Sequence, residues 1–269
     1  MSELATRVWS GGVLGVVFLL VTLMGGAPFV LFITLMAAIF WAEWVDMKMP
    51  GADDRLQATG ILALIGCALV VLWAPPGAQA VLLLAVLALF ALAAVGLKDR
   101  RAVGGFLYAA LLLTSLGLLR GPWGFEPGLE AIIFLAVAVW ATDIGGYFVG
   151  RALGGPKLAP LISPNKTLSG AAGGLAGAVA AGLIVHALFG VTGWAIAAAL
   201  AVFLSVLSQA GDLFESWIKR RAGVKDSGRV IPGHGGVMDR VDGLVFAAIG
   251  LWFACVLGAG MAEPARAFF

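Results

Sequence analysis

The residues richest in chemistry lie between Ser208 and Gly243, in the run SQAGDLFESWIKRRAGVKDSGRVIPGHGGVMDRVDG. Ser208, Asp212, Glu215, Ser216 and Lys219 are spaced so that a helix would present them on one face. Asp212 and Glu215 interrupt an otherwise apolar stretch. An ionisable side chain at that depth is expensive and faces a bundle interior or a wet cavity. Asp239 and Asp242, three apart, share a face at the start of the last apolar run. Between the two acidic pairs lie Lys219, Arg220, Arg221, Lys225 and Arg229, then Pro232-Gly233-His234-Gly235-Gly236. The glycines permit close approach of a ligand, and Gly235-Gly236 leads into a helix N-terminus, where free N–H groups favour anions.

Hard carboxylate oxygens suit Mg²⁺, which binds through one or two carboxylates together with substrate phosphates. The cations suit phosphate oxygens. Such a set fits in-line attack at phosphorus, where the protein positions groups and neutralises charge. A plainer reading has the Lys and Arg residues anchoring spans or binding anionic headgroups. Four acids bracketing the loop, two of them at membrane depth, argue against it. His234 alone would read as a packing residue; between its glycines it reads as a substrate contact.

The elements that must position these groups are set by hydropathy. The chain has 269 residues, of which 61% are hydrophobic and 12% charged, with a mean hydropathy of +1.03. Soluble domains carry about 25% charged residues, so a water-soluble fold is excluded. The net charge of +2 gives no reason to expect nucleic acid as a partner. Runs long enough to cross a hydrocarbon core of about 30 Å fall at 9–25, 27–43, 58–74, 79–97, 103–119, 129–149, 169–189, 192–217 and 239–260. Helices are required there, because backbone groups in lipid must be satisfied within their own segment. The fold class is therefore an all-α polytopic transmembrane bundle of about nine spans. Residues 1–269 form a single membrane domain, with scaffold spans in 1–128 and the chemistry in 129–260. A cleaved leader over 1–27 is the alternative to a retained first span.

Nine spans place Arg7, Lys48, Arg55, Lys98, Arg100, Arg101, Arg151, Lys157, Lys166, Lys219, Arg220, Arg221, Lys225, Arg229 and Arg240 on one side, and Arg120 and Arg266 on the other. Basic loops are cytoplasmic, so the N-terminus and the chemical loops face the cytoplasm. The Ala/Gly-rich run 169–183 lets helices approach closely and is expected inside the bundle. Cys67 and Cys255 sit in apolar runs and read as small buried hydrophobes. No inverted repeat of the transporter kind is present, and the charges gather toward one face, which disfavours an ion path through Asp143, Asp212 and Glu215.

The segment from Ser216 to Asp242 matches the pattern S-x-x-K-R-x4-K-D-x5-P-x-H-G-G-x-x-D-R-x-D at every fixed position. In this it resembles the phosphatidate cytidylyltransferase, or CDP-diacylglycerol synthase, family. A second segment is similar to the same family: Asp143, Tyr147, Gly150-Arg151, Lys157-Leu158 and Ile162-Ser163-Pro164-Asn165-Lys166-Thr167. Ser169 stands where that family's pattern has Glu, which leaves open any carboxylate role there.

The resemblance implies that CTP and phosphatidic acid in the bilayer give CDP-diacylglycerol and pyrophosphate with Mg²⁺; a second cation and a homodimer stay open. It implies Asp212 and Asp239 as the metal pair. It implies Lys219, Arg220, Lys225, Arg240 and His234 as phosphate contacts, beside Ser216, Gly235, Gly236 and Asp242. Ser163, Lys166 and Thr167 would lie on a loop closing over the site. Asp143 either lines the cavity or pairs with a basic residue. The expected address is the bacterial inner membrane, with the active site on the cytoplasmic side. A transferase or kinase acting on another lipid is the alternative within the enzyme class.

Overall fold

In the computed structural model the chain is described at residues 3–97, 100–122, 124–189, 193–231 and 235–269, with side chains from residue 9 onward. Lys98, Pro232, Gly233 and His234 lie outside the described residues, as does the side chain of Arg7.

Each of the nine apolar runs is one helix: α1 (Glu3–Met24), α2 (Gly26–Lys48), α3 (Asp54–Trp73), α4 (Pro76–Gly96), α5 (Arg101–Arg120), α6 (Glu126–Leu153), α7 (Leu168–Phe189), α8 (Trp194–Arg221) and α9 (Met238–Ala259). Eight, α2 to α9, are long and apolar enough to cross a membrane; the apolar part of α1, Trp9–Met24, is shorter. The protein is an integral membrane helical bundle. One feature lay outside the all-helical expectation. The polar connector after α6 forms an antiparallel hairpin of β1 (Lys157–Ala159) and β2 (Ser163–Thr167), with Lys157 opposite Thr167 and Ala159 opposite Ser163.

The helices form two compact units. The first comprises residues 1–125, 224–240 and 261–263; the second comprises 126–223, 241–260 and 264–269. In the first, α2 is the central helix. Its Trp41 ring lies over Gly60 of α3 and donates from Nε1 to the Gln57 carbonyl at 3.1 Å, while Trp44 lies over Gly105 of α5. A side chain at either glycine would occupy the indole's place. Pro76 opens α4 at a position where its missing N–H costs nothing. Arg120, at the end of α5, is 1% exposed and donates to the carbonyls of Thr22, Leu23, Pro122 and Phe125. Two of these are carbonyls of the last turn of α1, which have no acceptor role left inside their own helix. Gly25, at φ 62, is held to glycine twice over, because a Cβ there would come within 2.6 Å of the Arg120 guanidinium.

In the second unit, α6 and α7 meet along a seam of backbone. A Cβ on Gly145 would lie 2.6 Å from the Gly173 carbonyl, one on Gly170 2.8 Å from that of Gly146, and one on Gly174 2.7 Å from that of Thr142. The Ala/Gly-rich run is thus the contact face of α7, with Gly170, Gly174, Ala178 and Gly182 buried. Cys67 and Cys255 are free and buried, as their apolar settings led us to expect.

Candidate active site

The second unit gathers much of the chemistry around one face of α8. Asp212 forms an ion pair with Lys166, which β2 carries to it, and accepts a hydrogen bond from Ser216 Oγ one turn on at 3.3 Å. Glu215 is completely buried and bound by Lys219 Nζ at 3.0 Å, one turn further along the helix. A carboxylate at that depth has to be compensated by a cation or by hydrogen-bond donors, and the i,i+4 spacing supplies one.

Helix α9 brings a second carboxylate to the same place. Gly211 of α8 is so close to α9 that a Cβ there would lie 2.6 Å from the Asp242 carbonyl. Across the same crossing, Gly243 of α9 abuts Ser208. Two glycines therefore let the helices touch where each carries an aspartate, and Asp242 lies in the electrostatic field of Asp212, Asp143 and Lys219. Asp143, exposed on α6, is thereby part of the acidic group. Ser208 Oγ is buried at the crossing with no hydrogen-bond partner among the described residues.

The hairpin is tied down at both ends. Thr167 caps α7, its Oγ1 accepting from Gly170 N–H at 3.0 Å. Ser169 Oγ lies 3.0 Å from Thr167 Oγ1 and donates to the Gly154 carbonyl at the end of α6. This gives the residue at the family's Glu position a definite task. A hydroxyl can donate to that carbonyl, and an ionised carboxylate cannot. Ser163 is half-buried in β2, two residues beyond the hairpin tip at Leu161, which is 96% exposed.

The first unit holds the glycine loop and Asp239. The Asp239 carboxylate accepts from Ser227 N–H at 3.0 Å and from Gly236 N–H at 2.9 Å. Ile231 N–H donates to the Gly235 carbonyl at 2.9 Å, and Gly235 takes φ 87. Lys225 and Arg240 in this unit and Arg220 in the other are solvent-exposed. Sequence reasoning missed one residue here. Glu43 of α2 is 4% exposed and accepts from Val237 N–H and Met238 N–H, both at 2.8 Å, and from Ser227 Oγ at 3.1 Å. The cost of a carboxylate in an apolar span singled out Asp212 and Glu215, and it applies equally to Glu43.

Among the described residues, no three or more His, Cys, Asp or Glu side chains cluster closely enough to hold a metal by themselves. Asp212 and Asp242 carry hard carboxylate oxygens of a kind that suits Mg²⁺, while Asp239, in the first unit, is engaged by two backbone N–H groups.

The comparisons with known proteins give the class of this membrane-embedded bundle, a nucleotidyltransferase. The model of the Cytidylyltransferase family matches residues 5–257. A phosphatidate cytidylyltransferase of Brucella suis biovar 1 (strain 1330) is 45% identical over 269 residues, covering 98% of this chain and 96% of that protein. One from Staphylococcus saprophyticus is 36% identical over 243 residues, covering 86% and 91%. The chain belongs to the cytidylyltransferase family.

Proposed function

We propose that this protein transfers the cytidylyl group of CTP to phosphatidic acid in phospholipid biosynthesis, at the cytoplasmic face of a bacterial inner membrane. The observation that carries the reading is the likeness, over 98% of the chain, to a relative that bears this activity in its name. The unbroken pattern from Ser216 to Asp242 supports it.

In the reaction a phosphatidate oxygen, already anionic at neutral pH, attacks the α-phosphorus of CTP. The new P–O bond forms as the bond to the β-phosphate's bridging oxygen breaks, and pyrophosphate leaves. No proton has to be removed from the nucleophile, which suits a site rich in carboxylates and cations and poor in histidine. Lys219, Arg220, Lys225 and Arg240 bind and orient phosphate oxygens, and His234 contacts substrate beside Gly235 and Gly236. The hairpin presents Lys166 and Ser163 to the nucleotide while Thr167 fixes its foot on α7, and the salt bridge from Lys166 to Asp212 supports a hairpin that reaches α8. On the motif, Asp212 and Asp239 are the carboxylates for Mg²⁺, with Asp242 in the field of Asp212. When bound, the ion neutralises developing charge on the phosphates. The bias of 15 basic residues to two supports a cytoplasmic side for this chemistry.

The test is mass spectrometry of lipids after the purified protein is incubated with CTP, phosphatidic acid and Mg²⁺. A CDP-diacylglycerol product with equimolar pyrophosphate is expected. Its absence, or preference for a polyprenol over phosphatidic acid in competition, would overturn the assignment.

A further inference from the structure

Five hydrogen-bond donors on the segment that precedes Asp239 are taken up by two carboxylates. Asp239 takes the N–H groups of Ser227 and Gly236. Glu43, reaching from α2, takes Val237 N–H and Met238 N–H together with the Ser227 hydroxyl. The N–H groups of Val237 and Met238 belong to the start of α9, where a helix has no internal acceptors for its first donors. Ordinarily a nearby Ser, Thr, Asp or Asn would cap them; here the acceptor comes from a residue 195 positions away.

The fit is close. A Cβ on Gly236 would lie 2.5 Å from Glu43 Oε2, and one on Gly228 2.7 Å from Oε1. The two glycines therefore let the backbone press directly on the carboxylate. A buried, charge-assisted acceptor with several donors fixes backbone more firmly than neutral bonds do. Glu43 and Asp239 both bind Ser227 and the 236–238 backbone, so the position of Asp239 depends on Glu43.

We infer that Glu43 is a positioning residue for the transfer reaction: it sets Ser227, Gly236 and Asp239 through the first turn of α9 and makes no contact with substrate itself. The inference rests on the proposed activity for its kinetic readout, and on loop geometry for a second readout that does not.

The test compares the full-length protein with Glu43→Gln, Glu43→Ala and Ser227→Ala. Gln keeps one acceptor oxygen, Ala none, and Ser227→Ala removes only the hydroxyl donor. Loss of groups that orient ligands costs about 10–100-fold in affinity or activity. Glu43→Ala is therefore expected to raise the Mg²⁺ concentration for half-maximal activity and the KM for CTP by about that factor, with Glu43→Gln and Ser227→Ala between it and the parent. The second readout is limited trypsin cleavage at Lys225 and Arg229. Read well below each variant's thermal midpoint in detergent, cleavage should quicken in Glu43→Ala and partly in Glu43→Gln. Wild-type Mg²⁺ dependence, KM and cleavage in all three variants would overturn the inference. So would a fall in thermal midpoint with Mg²⁺ dependence and cleavage unchanged, which marks a role in general stability alone. If Glu43→Ala does not fold, the Gln and Ser227→Ala variants decide. If the parent makes no liponucleotide, the proposed activity fails, while the cleavage comparison still reports on the loop.

Discussion

Asp212 and Asp239 occupy different settings, and removing their charge should reveal it. Asp212→Asn strips Lys166 of its counter-charge and Ser216 of an ionised acceptor; Asp239→Asn places an amide NH₂ against two backbone donors. Both are expected to lower liponucleotide formation on the order of 100- to 1,000-fold, the scale of losing a preorganised electrostatic group. Turnover near the parent's in either would remove that residue from the machinery. Arg120 tests the structural use of a buried charge. Arg120→Met leaves four carbonyls without their donor, and an unsatisfied buried group costs about 1–3 kcal/mol. A lower thermal midpoint in detergent is the expected result. At this scale helical spacing made legible the face of α8 on which Ser216 meets Asp212 and Lys219 meets Glu215. The sequence was not legible at Glu43, whose role depends on a partner strand of backbone 195 residues on. Nor could it show that Ser169 holds the end of α6, since that bond is made to a carbonyl and leaves no mark in residue type.

The helices themselves were readable because lipid admits few alternatives, and each of the nine hydropathy runs became one helix within a few residues. The hairpin was hidden. KLAPLISPNKT carries two prolines and lacks the alternation that marks a strand; its short pairing depends on α6 and α7 holding its ends. That support makes a prediction for glycine. Gly174→Ala drives a methyl group against the Thr142 carbonyl, and overpacking of this kind costs about 1–3 kcal/mol. Gly104→Ala in α5, where a Cβ would meet nothing, should be neutral or stabilising by up to about 1 kcal/mol. Thermal midpoints of the two variants should therefore move apart, and equal values would contradict the backbone seam.

For the molecule as a whole, the proposed orientation can be measured. A Leu161→Cys variant, with Cys67 and Cys255 replaced by Ser, puts its thiol at the exposed hairpin tip. A membrane-impermeant maleimide should label it in inverted inner-membrane vesicles and leave it untouched in intact spheroplasts; the reverse pattern would invert the bundle. A contact between α6 and α7 made of carbonyls and Cα hydrogens has no rotamers to redistribute, so it cannot loosen by degrees. The feet of the hairpin, at Gly154 and Thr167, are thus held at a set separation, and any movement of the hairpin against α6 and α7 must be accomplished by the ribbon between them.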